Sequence, residues 1–360
     1  MRHVGKILAY IFLFLNAVVA GLLIVSAYSP YFNPHVHPIW SSAGLLFPLF
    51  LLANFLFLCF WLIVWPRCAF FPLLIFFCCW GSIRSYLPIN LFQDEKTEES
   101  IKVLSYNTCA FGNLEPHTKE TPNKVLSYLQ KSDADIICLQ EYILGGRLKK
   151  KDVDYALRDY PYRHYYSFAK GLNGLGCYSK YPILSSKPII YKSESNASIA
   201  YQIKVGNDTL LVVNNHLESN RIGATEVDTY KEVIDAKDSK KVYTGLWQLL
   251  KKMAGAVTVR AGQAETVSQA IKELSREKVI VCGDFNDTPV SYTHRVMGDG
   301  LKDAFVESGN GLGVSYNKHR MYFRIDYILL SKNLKSFECT VDDTIDASDH
   351  YPIWCYISLN

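Results

Sequence analysis

Val279-Ile280-Val281-Cys282-Gly283-Asp284-Phe285-Asn286-Asp287-Thr288-Pro289 decides how this chain is read. Four apolar residues make a buried strand, a glycine frees the backbone, and short polar side chains follow at once. Strand side chains repeat every second residue, so the run is predicted to deliver Asp284 and Asn286 to one side of a sheet's C-terminal rim. A carboxylate there can orient or deprotonate a water, and an amide can donate to a phosphoryl oxygen. Taken alone, the run reads equally well as a strand followed by an Asx-rich turn.

Partners elsewhere change the balance. Ile101–Tyr106 is a predicted strand ending at Asn107, and Asp135–Gln140 is another, ending at Glu141. Between them Thr121 and Pro122 open a predicted helix with Val125, Leu126 and Leu129 on its apolar face. Leu210–Asn214 leads to His216, Ile325–Leu330 carries Asp326, and Asp349 and His350 precede the last strand, Tyr351–Ile357. Arg260–Arg276 is a predicted helix whose buried face is Ala264, Val267, Ile271 and Leu274. Any one of these polar residues could be an ordinary cap or turn residue. Eight of them at strand exits suggest a layered α/β body whose sheet ends gather a ligand, and hard divalent cations take oxygen donors of this kind.

Composition divides the chain sharply. All 34 Asp and Glu lie after Gln93; four of the 38 Lys and Arg (Arg2, Lys6, Arg67 and Arg84) come before it, which leaves 34 basic residues against 34 acidic. A neutral polar part lacks the net charge of a nonspecific nucleic-acid binder, although a local patch can still serve. The basic run Arg147, Lys149, Lys150 and Lys151 follows Glu141 closely and is expected either to be solvated or to attract anions to the same rim. The ten cysteines show no CxxC spacing and read as small core residues.

The apolar part, residues 1–88, is expected to be a transmembrane region with three helices over about 7–28, 43–65 and 68–87. The third has the shortest apolar core, and without it only two crossings remain. Arg2, Lys6 and Arg67 place the N-terminus and the second turn in the cytoplasm. Three crossings then put the polar part outside, which is the periplasm in a Gram-negative cell; two would leave it in the cytoplasm. Asn16 and Asn54 are expected to hydrogen-bond between helices. A short linker, 89–100, leads to a domain over 101–360 with an insert at about 220–258. There Glu226–Lys241 is charged, and Leu246, Trp247, Leu249 and Leu250 beside Lys251 and Lys252 are amphipathic enough to lie on a bilayer, to cover the site, or to pack on their own domain.

From Ile101 onward the chain resembles the endonuclease/exonuclease/phosphatase superfamily, which includes DNase I-like nucleases, inositol-phosphate phosphatases and neutral sphingomyelinases. Ser105-Tyr106-Asn107, Leu139-Gln140-Glu141, Asn215-His216-Leu217, Gly283-Asp284-Phe285-Asn286, Arg324-Ile325-Asp326-Tyr327 and Ser348-Asp349-His350-Tyr351-Pro352-Ile353 carry the resemblance, in the family's order. Ser179-Lys180-Tyr181-Pro182-Ile183 adds to it. It implies a four-layered α/β/β/α sandwich of two mainly antiparallel sheets. It also implies Mg²⁺, or Mn²⁺ on the same donors, with Glu141 as principal ligand and Asn107 and Asp349 near the metal. Asp284 would activate the attacking water and Asn286 steady the phosphate. His350, oriented by Asp326, would bind the phosphate or act as acid/base, and His216 would contact the phosphate and help the leaving oxygen. Cys282 and Asp287-Thr288 depart from the inositol 5-phosphatase pattern.

Three functions stay open at this level. One is a membrane-anchored, metal-dependent phosphoesterase acting on a phospholipid head group or other small phosphoester. The second is an anchored nuclease, with nucleic acid as partner beside the lipid bilayer, and the third is a non-catalytic phosphate-binding module. Nothing in the sequence demands a protein partner.

Overall fold

The computed structural model describes residues 2–92, 94–220, 239–274, 278–318 and 322–359. Within them two six-stranded sheets face each other. In chain order the strands are β1 (Ile101–Asn107), β2 (Ile136–Gln140), β3 (Tyr162–Phe168), β4 (Asn173–Ser179), β5 (Ile183–Ile189) and β6 (Ala197–Val205). They continue with β7 (Asp208–His216), β8 (Lys278–Asp284), β9 (Leu301–Asp303), β10 (Asp326–Ser331), β11 (Lys335–Val341) and β12 (Ile353–Ser358). One sheet is ordered β11-β12-β1-β2-β4-β3 and the other β5-β6-β7-β8-β10-β9. Each is antiparallel except at its centre, where β1 pairs with β2 and β7 with β8 in parallel.

Strand periodicity explains the layering. Ile101 and Val103 of β1 point inward with Ile136 and Cys138, where they meet Ile280 and Cys282 of β8 and Leu210 and Val212 of β7. The alternate residues point outward. Leu104, Tyr106, Ile137 and Leu139 pack under Val125, Leu126 and Leu129 of helix Lys124–Lys131. Val279 and Val281 pack under Ala264, Val267 and Ile271. Both faces of each central strand are therefore buried, which is why these strands read as near-continuous apolar runs. The result is the expected α/β/β/α order, with Cys138, Cys177 and Cys282 as free thiols between the sheets.

Local readings shift in places. The helix expected to open at Thr121 and Pro122 begins at Lys124, because the Asn123 side chain accepts the Leu126 N–H at 3.0 Å and also donates to Phe111 and Glu115 carbonyls. The helix expected to start at Arg260 runs unbroken from Ser239 to Leu274. Most of the charged run Glu226–Lys241 lies outside the described residues, as do the side chains of Leu246, Trp247, Leu249 and Leu250.

Among the apolar residues, Lys6–Ala27 and Pro38–Val64 are each long and apolar enough to cross a membrane. The third expected span is broken: helices Phe70–Cys78 and Trp80–Tyr86 meet at an angle of 69°. Asn16 donates to Asn54 at 3.4 Å and accepts from the Trp61 indole at 3.0 Å, so the two amides bridge the long helices as their burial in an apolar bundle requires.

Candidate active site

The parallel pairs at the sheet centres bring the polar residues to one rim. His216, Asp284 and Asp326 are paired in one row across β7, β8 and β10. In the facing sheet Asn107 ends β1 opposite Gln140, so Glu141 is the first residue past β2. β12 runs back against β1 with Ile353 opposite Ser105, which carries the preceding Asp349 and His350 to the same edge. Gly283 is required here. Its φ is +127°, and a Cβ would lie 2.1 Å from the Asn215 carbonyl oxygen. Glu141 (φ 48°) and Asn286 (φ 54°) are also left-handed, an arrangement that costs about 1–3 kcal/mol per residue and collects at functional sites.

A cavity of about 550 Å³ is lined by Glu141, His216, Asp284, Asn286, Asp349 and His350. Asp284, 1% exposed, is its hub. Its Oδ2 lies 3.7 Å from His350 Nε2 and 3.8 Å from His216 Nε2, and accepts the Asn107 amide at 3.1 Å. Asn107 also donates to Glu141 at 3.3 Å, and His216 Nε2 is 3.8 Å from the same carboxylate oxygen. His350 Nδ1 lies 2.8 Å from Asp326 Oδ2, which fixes the ring and leaves Nε2 facing Asp284. Asn107 and Asp326 do not line the cavity; they reach it through the residues they bond, Glu141, Asp284 and His350. The Asn107 side-chain oxygen Oδ1 accepts the Cys109 N–H at 3.2 Å, so its NH₂ faces the carboxylates, and ligation through that oxygen would require the amide to turn.

Asn286 differs from expectation. It has left the strand: its backbone N–H bonds Asp284 Oδ1 at 2.8 Å in an Asx turn, and its side chain donates to the Leu217 carbonyl at 2.9 Å. One amide N–H remains for a ligand. The Asx-turn reading of that stretch is thus realised, on the rim of the cavity that Asp284 and Asn286 both line.

Burial governs the charges. It raises the Asp284 carboxyl, with Asp326 adding and the histidines opposing. Burial also opposes charge on His350, but the carboxylates of Asp326 and Asp284 outweigh it and hold the ring protonated well above the ordinary histidine range. Burial lowers His216, with Asp284 opposing, and its Nδ1 has no hydrogen-bond partner among the described residues. Glu141 is raised by burial, with Asp349 adding to the effect. Such crowded carboxylates suit a hard divalent cation, which wants oxygen donors and would relieve their repulsion. One group of atoms from Asp284, Asp326 and His350 falls within 4.8 Å. Two of those three, His350 and Asp326, already bind each other, and the expected ligands Glu141, Asn107 and Asp349 are not members of this group.

Sequence reasoning missed several members. Ser348 accepts the His350 N–H at 3.1 Å and donates to the Asn107 carbonyl at 2.8 Å, tying two site loops together. Tyr316 sits edge-on to His350 with ring centres 5.2 Å apart. Asp287 is locked to the fully buried Arg260 at 3.1 Å, which in turn bonds the Glu218 carbonyl. Ser348 opened a recognised motif without being given a role; Tyr316 and Arg260 carried no local signal. The run Arg147–Lys151 is absent from the cavity wall. Lys150 pairs with Asp154 along a helix, and Lys151 lines a separate surface groove.

The family model for the Endonuclease/Exonuclease/phosphatase family matches residues 104–350. This chain belongs to that family. It is a hydrolase of the group that cleaves phosphoester bonds, and enzymes of this family generally use divalent metals. A model for a domain of unknown function matches residues 9–86. An exodeoxyribonuclease of Bacillus subtilis (strain 168) is 24% identical over 269 residues, 65% of this chain and 92% of that protein. The human nocturnin catalytic domain with bound sulfate superposes with a TM-score of 0.52 at 16% identity, covering 74% of this chain and 97% of that one. An endonuclease/exonuclease/phosphatase from Bacteroides vulgatus gives 0.50 at 16% identity, covering 74% of this chain and all of that one. At such identities the two structures speak for the family fold.

Proposed function

We propose that this chain is a membrane-anchored, Mg²⁺-dependent phosphoesterase that hydrolyses its ester by in-line attack of an activated water. The carrying observation is Asp284 set between two imidazole Nε2 atoms at 3.7 and 3.8 Å, beside the Glu141 carboxylate. Glu141 and Asp349 would hold the cation, with Asn107 orienting Glu141. A bound Mg²⁺ or Mn²⁺ would offset charge growing on the phosphoryl oxygens. Asp284, its carboxyl raised toward neutrality by burial, takes a proton from water as the water oxygen bonds phosphorus. His350 gives its Nε2 proton to the alcohol oxygen as that P–O bond breaks. The proton on Asp284 then returns to His350 across 3.7 Å, and water plus ester has become alcohol plus phosphate. Asp326 keeps His350 charged and aimed. His216 and the remaining amide N–H of Asn286 hold the phosphoryl oxygens.

The membrane arrangement is supported by contacts to the catalytic body. The loop between the first two long helices touches that body, since Arg295 Nε donates to the Pro30 carbonyl at 2.7 Å and Thr258 to that of Pro34 at 3.2 Å. The exit of the broken third segment touches it as well, through Arg324 on the Ser85 carbonyl. Both therefore share one side, and the turn at Arg67 takes the other. These contacts support a reading with three crossings, and the placing of Arg2, Lys6 and Arg67 supports a catalytic body outside the cytoplasm.

The nuclease reading draws on the Bacillus exodeoxyribonuclease. Against it, no Lys or Arg lines the cavity among the described residues, whereas strand backbones are gripped by cationic side chains. The test is turnover of a chromogenic phosphodiester by the detergent-purified chain. EDTA should abolish it, Mg²⁺ should restore it, and Asp284→Asn should lack it. EDTA-resistant turnover, or full activity in Asp284→Asn, would refute the assignment.

A further inference from the structure

One wall residue of the catalytic cavity comes from the membrane part of the chain. Leu45 lines the cavity together with Asp284, His216 and His350, yet it lies inside Pro38–Val64, a stretch apolar and long enough to cross a bilayer. Phe47 begins the long helix, so Leu45 sits only about 3 Å along the axis from its first turn. That is interface depth.

The seating of this segment is close. A Cβ on Gly44 would lie 1.8 Å from the Val290 carbonyl oxygen, so only glycine lets the backbones meet there. Ser29 donates to the same carbonyl at 3.3 Å. Val290 itself packs into the bundle against Ala20, Leu23, Ala27 and Phe47. Val290 is six residues past Asp284, on the loop that carries Asn286. His35 meets Glu265 at 3.2 Å, and Arg295 stacks over Tyr31 with 5.3 Å to the ring centre. The cleft and the head of the membrane bundle are one packed unit, so the height of one above the lipid fixes that of the other.

The wall chemistry narrows the substrate. Phosphate-directed groups lie at the cavity floor, while Leu45, Phe323, Ile325 and Tyr316 supply apolar surface. A polyanionic strand finds no cationic rail here among the described residues. A single phosphoester attached to an apolar body, lying at the bilayer surface, matches both halves. We propose that the cleft opens onto the membrane interface and takes its phosphoester from a phospholipid in the same bilayer, with Leu45 as the wall that receives the lipid's apolar shoulder. This rests on the phosphoesterase reading above and names its substrate class.

The test uses the full chain reconstituted with Mg²⁺ in phosphatidylethanolamine/phosphatidylglycerol vesicles. Rates are compared for lipid in the protein's own vesicles, for the same lipid in separate protein-free vesicles, for its short-chain soluble analogue, and for single-stranded DNA. Sharing a surface raises the effective concentration, so the first should exceed the second and third by about tenfold or more. Leu45→Arg should lower the ratio of bilayer to soluble rates by about tenfold or more, the worth of one buried leucine contact. Equal wild-type rates for lipid in its own vesicles and for the soluble analogue, or preference for DNA, would overturn the inference whatever the variant does. Hydrolysis of soluble esters without lipid hydrolysis sinks this inference and leaves the phosphoesterase reading standing. Hydrolysis of nothing, with Mg²⁺ or Mn²⁺ supplied, sinks both.

Discussion

The two sheets share a plan and contribute different chemistry. Each is antiparallel with one parallel pair at its centre, and in each that pair ends at the cleft. The β1/β2 pair leads to Glu141 and Asn107, a carboxylate that suits a cation and an amide that holds that carboxylate. The β7/β8 pair, with β10 beside it, ends in His216, Asp284 and Asp326, groups that suit proton traffic and phosphate. The halves are joined by His350, which arrives on the β12 side and is clamped at 2.8 Å by Asp326 from the other sheet. An active site can thus be divided between layers whose relative placement is fixed by the core between them, and a single imidazole can span the seam.

If that division holds, damage to the two halves should look different. Asp284→Asn, in the proton half, is expected to lower kcat by about 10³-fold or more at every Mg²⁺ concentration; steady-state rates across a Mg²⁺ titration check this, and recovery at high Mg²⁺ would erase the distinction. Glu141→Gln, in the cation half, should instead weaken apparent Mg²⁺ affinity about 10- to 100-fold and regain part of its rate as Mg²⁺ or Mn²⁺ is raised, a ligand costing at least what outer-shell partners do. Gly283→Val tests whether the proton half depends on its backbone. With φ at +127° and Asn215 O at 2.1 Å from the added Cβ, thermal melting should show a loss of about 3 kcal/mol or more.

The smallest effect lies at the edge of the same sheet. The Asp303 carboxylate accepts the Phe305 and Val306 N–H groups and pairs with His294 at 3.0 Å. Burial opposes its charge, but His294, Arg324 and the Phe305 N–H together leave its pKa lowered. A lowered folded pKa contributes stability that is complete above the unfolded value of about 3.9 and is lost as pH falls through the folded one. Melting temperature should therefore drop below about pH 4, and Asp303→Asn should flatten that acid limb.

The chain itself determined a good deal. The strand-exit residues were legible because each follows an apolar run, and the run's alternation also specifies which face meets the opposite sheet. The long apolar helices were legible because their runs are continuous and no acidic residue precedes Asp94. Strands β3, β5, β6, β9 and β11 were not read: four of them are exposed or short and lack a sustained apolar pattern, and β6, though mostly buried, interleaves Ser198, Gln202 and Lys204 with its apolar residues. Neither Tyr316 against His350 nor Arg260 under Asp287 could be read, because both are contacts between residues far apart in sequence. The same holds for the seating of Gly44 on Val290 and the arrival of Leu45 in the cleft. Local pattern records what a residue prefers to be buried against, water or oil. Which distant surface supplies the burial is decided only when the layers close, and here that closure sets the cleft against the head of the apolar helix bundle.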